Sequence, residues 1–152
     1  MSNSILVPLS DSLTSHSVLR YLTHMPICME DTDITLLNVY KEPPVSQDLM
    51  GKSFVEKQES RMIKFLDNAK DKLVEAGFNP EKVHIVLLKD PYPTVTDGIV
   101  AEFNRGSYDM VVIGRKHMSK AEEFVLGDIS IKLVRTLENT AILIVKQTDI
   151  IA

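Results

Sequence analysis

The sequence has few of the features that secreted, membrane-spanning and nucleic-acid-binding proteins need. Cys28 is the single cysteine among 152 residues, so no disulfide can form within the chain. Lys and Arg number 17 against 21 Asp and Glu, and the net charge of −4 argues against binding to nucleic acid through phosphate contacts. No apolar run approaches the roughly 18 residues of a membrane span. A signal peptide needs a cation before its apolar region, and none precedes the first apolar run here. We therefore expect a cytoplasmic protein, with one domain over residues 1–152 and no membrane or nucleic-acid partner.

Five short apolar runs predict the strands of a sheet. They are rich in β-branched residues, and they are nearly continuous rather than alternating, which is typical of strands covered on both faces. The runs are Ile5–Leu9, Ile34–Tyr40, Val83–Leu88, Met110–Ile113 and Ala141–Val145.

Helical patterns separate these runs. The apolar positions of the four patterns are, in order, Leu13, Val18, Leu19 and Leu22; Phe54, Met62, Phe65, Leu66, Ala69 and Leu73; Ile99, Val100 and Phe103; and Ile129, Leu133, Val134 and Leu137. Gly77 predicts the end of the second helix, and Lys41–Lys52, with its two prolines, predicts a surface loop. The order β-α-β-α-β-α-β-α-β predicts an α/β fold with a single doubly wound five-stranded parallel sheet. Ligands of such folds bind beyond the carboxyl ends of the strands.

Polar residues follow the first, third and fourth strands. Ser10-Asp11-Ser12 suits an N-cap of the first helix, or alternatively a ligand contact. Asp11, Asp90 and Lys146 together suggest a phospho-acceptor receiver domain, although such a domain needs a pair of acids after strand 1. Gly114 leaves strand 4 and Gly127 precedes the last helix. Glycines in these positions can bring backbone N–H groups up to a phosphate.

The whole chain resembles the universal stress protein family. The resemblance is carried by Ile5-Leu6-Val7-Pro8-Leu9, Leu36-Leu37-Asn38-Val39, Tyr108 to Gly114 and Ala141 to Val145. It implies an adenine-nucleotide alpha hydrolase-like sheet of five parallel strands. It also implies a homodimer paired through the last strand. Some members bind ATP through a motif after strand 4: Gly, two residues, Gly, nine residues, Gly, then Ser or Thr.

The chain departs from that motif at two positions. Gly114 and Gly127 match the first and third glycines, but His117 replaces the second glycine and Asp128 replaces the hydroxyl residue. Ser10 stands where nucleotide-binding members usually have an acid. A side chain at His117 would crowd the phosphates. A carboxylate about 4 Å from a phosphate costs about 4 kcal/mol at an effective dielectric constant of 20, whereas Asp128 would make a good N-cap for the last helix.

The resemblance outlines a candidate nucleotide or anion cleft, and the departures predict weak or no ATP binding in it. Its residues are Pro8, Leu9, Ser10, Val39, Gly114, Lys116, His117, Gly127, Asp128 and Ile129. We therefore expect no cofactor, with ATP or AMP as the alternative. Arg115, Lys116 and Lys120 leave the loop basic, so a smaller anion is a further alternative.

No catalytic or metal-binding constellation is visible in the sequence. His16, His24, His84 and His117 do not show ligand spacing with Cys28 or with one another, and no nucleophile elbow or Cys–His signature is present. These observations, with the resemblance, predict a regulatory or interaction protein without enzymatic activity. Its homodimer would form through Ala141, Ile142, Leu143, Ile144 and Val145. The alternative is an ATP- or AMP-binding stress-response switch that uses the altered glycine loop and either senses ATP or hydrolyses it weakly.

Overall fold

The fold is one parallel sheet of five strands. The computed structural model describes residues 3–10, 12–40, 49–116, 119–121 and 129–147. The strands are β1 (Asn3–Pro8), β2 (Thr32–Val39), β3 (Val83–Leu88), β4 (Met110–Lys116) and β5 (Ala141–Gln147). They pair in the order β3-β2-β1-β4-β5, and every pairing is parallel. The predicted α/β class and doubly wound sheet are confirmed. A receiver domain of the flavodoxin-like type has the order 2-1-3-4-5, so that alternative is wrong.

Helices connect the strands and cover both faces of the sheet. They are α1 (Ser12–His24), α2 (Leu49–Ala76), α3 (Val95–Arg105) and α4 (Ile129–Thr136), with a short 3-10 helix at Pro80–Lys82 that the sequence analysis did not predict. In the described ranges, none of the helices has the length and apolar character needed to cross a bilayer.

Two cores lie on opposite faces of the sheet. Helices α1 and α2 bury Val18, Leu22, Leu66 and Leu73 against the first face, where Ile5 and Val7 of β1 also point. Helices α3 and α4 cover the second face in the same manner. The buried residues there are Leu6, Leu37, Leu88, Ile99, Val111, Ile113, Leu133 and Leu137. Because successive residues of a strand point to opposite faces, continuous apolar runs supply both cores at once.

Several element boundaries differ from the sequence expectation. Helix α2 begins at Leu49, so the predicted loop is wrong for 49–52, while residues 41–48 lie outside the described residues. Strand β1 begins two residues earlier than predicted, and β4 and β5 extend beyond their apolar runs to polar residues. Backbone hydrogen bonds to neighbouring strands continue where hydrophobicity stops, because pairing needs only the backbone.

Three apolar residues that the helical patterns placed on inward faces are exposed instead. They are Phe54 at 51%, Ile129 at 43% and Val134 at 58% exposure. Phe54 lies in the first two turns of a 28-residue helix. At 1.5 Å per residue that helix is about 42 Å long. The strands beneath it have only six to eight residues, so they are too short to cover the whole helix. Of the apolar positions in the fourth helical pattern, only Leu133 and Leu137 are buried, so the inward apolar stripe of α4 is narrower than predicted.

The strand order fixes where a ligand can bind. Strands β1 and β4 are neighbours in the sheet but not in the chain, so β1 is the point at which the connections change direction. Open α/β sheets bind ligands at the carboxyl edge beside this switch point. Strand β5 lies at one margin of the sheet.

Candidate functional site

A cavity of about 230 Å³ opens at the carboxyl edge beside the switch point. The ends of β1, β2 and β4 form its floor, and the first turns of α1, α3 and α4 form its walls. Six of the residues predicted from the sequence line it: Pro8, Leu9, Ser10, Val39, Gly114 and Ile129. Lys116 ends β4, but its side chain is not described, and His117, Gly127 and Asp128 lie outside the described residues.

Asn38 holds the end of β1 in place at the floor of the cavity. Its side-chain Nδ2 donates to the carbonyl of Leu9 at 2.8 Å. The N–H of Leu9 donates to the carbonyl of Leu37, also at 2.8 Å. These two bonds fix both backbone groups of Leu9 and thereby the start of the loop that carries Ser10. Sequence reasoning missed this role, although one amide inside the apolar run Leu36 to Val39 is a usable signal.

The walls of the cavity on the α3 side are apolar. They consist of Leu37, Val39, Val95, Ile99 and Ile113. Helix α3 comes close because Gly98 has no side chain: a Cβ there would lie 2.6 Å from Cγ1 of Val39. A capping box fixes the first turn, in which the N–H of Asp97 donates to Oγ1 of Thr94 at 3.1 Å and the N–H of Thr94 donates to the Asp97 carboxylate at 3.1 Å. The α3 side of the cavity is therefore an apolar slot, and the capping box holds the first turn of its helix.

The opposite side of the cavity is polar. It is lined by the hydroxyl residues Ser10, Thr14, Ser15 and Ser130, and by one cation, Arg115. Among the described residues, no acidic side chain lines the cavity. Hydroxyls and a guanidinium are groups that can bind a sugar and a phosphate.

Gly114 serves packing as well as the cavity. A Cβ on Gly114 would collide with α1, at Thr14 and Val18. Among the described glycines only Gly77 has a positive φ, so position 114 needs a glycine for space rather than for backbone conformation. The glycine that the motif assigns to phosphate binding therefore also sets the distance between α1 and β4.

A second polar cluster lies away from the cavity, between the end of α3 and the start of β4. Glu102 is 7% exposed. It accepts a hydrogen bond from the hydroxyl of Tyr108 at 3.0 Å and pairs with Arg105. Burial raises the pKa of the Tyr108 phenol above its usual value of 10.0. The Tyr108 ring also stacks on Phe103, with centroids 6.3 Å apart. The cluster ties the α3–β4 turn together and contributes nothing to the cavity lining.

The remaining candidates from the sequence do not form a site. Cys28 is exposed, and His84 lies 3.4 Å from an oxygen of Asp33 at the surface. His24 contacts the carbonyl of Arg20 at 2.7 Å. Within the described ranges no group of three or more His, Cys, Asp or Glu side chains could hold a metal ion.

Solved structures with the same fold include proteins crystallised with nucleotides. A universal stress protein in complex with cAMP superimposes with a TM-score of 0.65 at 15% identity, covering 93% of this chain and 95% of that one. The universal stress protein of Archaeoglobus fulgidus in complex with dAMP gives 0.60 at 16% identity, covering 95% and 98%. A universal stress family protein from Burkholderia pseudomallei gives 0.57 at 16% identity, covering 93% and 94%. At these identities the likeness shows the fold alone.

The family assignment rests on the amino-acid sequence and not on these structural comparisons. A comparison with curated proteins found no match. The model of the universal stress protein family, in contrast, matches residues 1–146, which is nearly the whole chain. The chain therefore belongs to the universal stress protein family.

Proposed function

We propose that this protein is a regulatory or interaction module that works as a homodimer, is not an enzyme, and binds ATP weakly or not at all. The observation that carries the proposal is the size and charge of the cavity. Its volume of about 230 Å³ is below the roughly 300–1,000 Å³ of typical ligand pockets. Arg115 is the one cation in its described lining. A stress-response role in the cytoplasm belongs to the same proposal.

The charge balance argues against a triphosphate. ATP needs several cations, N–H donors or a metal ion to balance its phosphates, and the described lining offers one guanidinium. In the sequence, His117 and Asp128 take the places of a glycine and a hydroxyl residue. Both changes remove phosphate contacts that the family motif supplies.

The sheet margin supports the homodimer. Strand β5 lies at the edge, and its central residues Ile142, Leu143 and Ile144 are half-buried. On the neighbouring α4, Ile131 and Val134 are exposed by 45% and 58%. An apolar edge strand is normally paired or protected, and a two-fold axis would use the same patch on both copies. The half-buried edge strand and the exposed apolar residues of α4 are therefore the surfaces that a second copy could cover.

A second candidate function is a nucleotide-binding switch that uses ATP or AMP. It is favoured by the apolar slot at Val39 and Ile99, opposite Arg115 and the hydroxyl residues. The structures with cAMP and dAMP show that this fold admits nucleoside monophosphates elsewhere in the family. The two candidates differ in one property, which is whether a nucleotide stabilises the native state.

Thermal unfolding with ATP, ADP and AMP, each with and without magnesium, separates the candidates. A ligand of the native state at 100 times its Kd adds about 2.7 kcal/mol to the free energy of unfolding. The first candidate predicts little or no shift with millimolar ATP in either condition. A clear shift with ATP would overturn it and support the switch. Sedimentation in the same buffers gives the mass, which a homodimer places at twice 17.1 kDa.

A further inference from the structure

A methionine sulfur lies against the turn that ends α2. Gly77 follows α2 with a positive φ of 121°, and it is exposed. Met29, in the connection between α1 and β2, places its Sδ 3.2 Å from the position that a Cβ on Gly77 would take. The thioether thus stands on the side of the glycine where a side chain would otherwise be. This contact lies at the amino edge of the sheet, where β2 and β3 begin, and the cavity lies at the carboxyl edge.

The three backbone N–H groups of this turn are all engaged. Those of Gly77 and Phe78 donate to carbonyls in the last turn of α2, at 3.0 and 3.1 Å, in the pattern of a Schellman motif. The N–H of Asn79 donates to the carbonyl of Met29 at 3.2 Å. This last bond joins the connection before β2 to the connection before β3. A new acceptor that approached the turn would therefore find these donors already in use.

The environment of Met29 suits a thioether and does not suit its sulfoxide. The side chain is half-buried and packs against the core of the first face, which includes the buried Phe78. Oxidation makes this apolar side chain polar. A sulfoxide oxygen directed at Gly77 would meet the engaged turn. One directed at water would draw the side chain away from the core. Either direction weakens the contact between the α1–β2 connection and the end of α2.

We propose that Met29 is a site of reversible oxidation by hydrogen peroxide, and that its sulfoxide loosens the α1–β2 connection from the end of α2. The exposed Gly77 leaves the neighbouring sulfur within reach of a small oxidant. The sulfur gives up two electrons and gains one oxygen atom, while the O–O bond of the peroxide breaks and water leaves. A methionine sulfoxide reductase reverses the change: two thiols become a disulfide, and the oxygen leaves as water.

Peroxide treatment of the folded, full-length protein tests the proposal. Every sample carries Cys28→Ser, because the exposed thiol of Cys28 would otherwise react as well. Peptide mass spectrometry measures the oxygen gained at each methionine, and thermal unfolding gives the Tm. We expect Met29 to gain one oxygen and the Tm to fall by about 3–8 °C. Treatment with the two epimer-specific methionine sulfoxide reductases and dithiothreitol should restore the Tm.

Substitutions in the same connection assign the effect to one sulfur. Met29→Leu keeps a similar apolar volume without an oxidisable atom, and it should abolish most of the fall in Tm. Met25→Leu is the matched control, because Met25 is also half-buried and packs against the same core; this variant should keep the full fall. Met29→Gln should lower the Tm without peroxide. An equal fall in Met29→Leu, a Met29 that stays unoxidised in the folded protein, or complete oxidation without a change in Tm would each overturn the proposal.

Discussion

Gly114 and Val18 approach so closely that no side chain fits between them. A Cβ at position 114 would lie 2.9 Å from Cγ2 of Val18, 3.0 Å from Cβ of Thr14 and 3.1 Å from the Thr14 carbonyl oxygen. The 2.9 Å contact requires the Val18 side chain to move, and the 3.1 Å contact would push on the backbone of α1 at Thr14. The first turns of α1, which carry Thr14 and Ser15 to the cavity, are therefore held at their distance from β4 by this glycine.

Gly114→Ala should destabilise the protein by about 1–3 kcal/mol, because overpacking forces α1 away from the sheet. Urea denaturation measures the change. Val18→Ala in the same chain removes Cγ2 and should recover part of the loss, so the double variant should be more stable than the sum of the single changes predicts. Additive effects, or a neutral Gly114→Ala, would show that α1 does not pack on β4 as described.

We expect the hydrogen bond from the Tyr108 hydroxyl to the buried Glu102 carboxylate to stabilise the folded protein. Tyr108→Phe removes the 3.0 Å hydrogen bond to Glu102 and should cost about 1–3 kcal/mol at pH 7, because a buried acceptor loses a donor. Tyr21→Phe is the control, since Tyr21 is 47% exposed, and it should change stability little. Chemical denaturation of the three proteins gives the comparison.

Tyr108 also predicts that the stability of the protein depends on pH in the alkaline range. Burial raises the pKa of Tyr108 above 10.0 in the folded protein, so the folded state holds the phenol proton more tightly than the unfolded state does. Its contribution is fully present below about pH 10 and is lost as the pH rises through the folded pKa. Between pH 9 and 11 the Tyr108→Phe variant should lose less stability than the unmodified protein. The Tyr21→Phe variant should lose as much stability as the unmodified protein. Parallel losses in all three would contradict the burial of the phenol.

The strands of the sheet could be predicted from the sequence more reliably than the buried faces of the helices or the lining of the cavity. Continuous runs such as Val83–Leu88 specify strands because both faces of each strand must be apolar, and β3 coincides with its run. In α4, Val134 fits the helical period and is nevertheless 58% exposed. Periodicity cannot say how wide a stripe the neighbouring elements cover, because that depends on tertiary packing.

Side chains whose roles depend on distant partners were not predictable. Asn38 bonds a carbonyl 29 positions away, and the α3 approach to Val39 depends on Gly98. Both relationships follow from the arrangement of strands and helices in space. The Gly114 position was predicted from motif spacing, but its contact with α1 was not, because a glycine required for packing and one required for phosphate look identical in a sequence.

Dimer formation through β5 can be tested without unfolding the protomer. The N–H of Ala141 donates to the carbonyl of Asp109, on the β4 side, at 3.2 Å. Because backbone groups of alternate residues face opposite sides of a strand, the N–H groups of Ile142 and Ile144 face outward. Ile144→Pro removes an outward N–H that the β4 ladder does not use, a position at which edge strands tolerate proline.

We expect the unmodified protein to sediment as a dimer at tens of micromolar and Ile144→Pro to sediment near 17.1 kDa with native circular dichroism. Ile144→Ala is the matched control: it loses side-chain volume but keeps the N–H, and it should remain a dimer. An unmodified protein that is monomeric at these concentrations would refute the proposed assembly. A dimeric Ile144→Pro variant would place the interface on another surface.

The last prediction concerns the two motif positions at which the chain departs from ATP-binding relatives. The double change His117→Gly with Asp128→Ser restores the glycine and the hydroxyl that the motif requires, at positions that lie outside the described residues. It removes a side chain from the phosphate path and a negative charge worth about 4 kcal/mol at 4 Å and an effective dielectric constant of 20. ATP binding should strengthen by a few kcal/mol, which is a factor of more than 100 in Kd.

Calorimetry with ATP on the unmodified protein, both single variants and the double variant gives the four affinities of a double-mutant cycle. The two changes face one ligand, so their effects need not add, and Asp128→Ser should give the larger gain because it removes the charge. Adenosine binding is the internal control: adenosine has no phosphate, so the double change should alter its affinity much less than that of ATP. A micromolar Kd for ATP in the unmodified protein would refute the proposed loss of ATP binding. No gain in the double variant would mean that the cleft excludes the triphosphate by its volume of about 230 Å³ rather than by these two side chains.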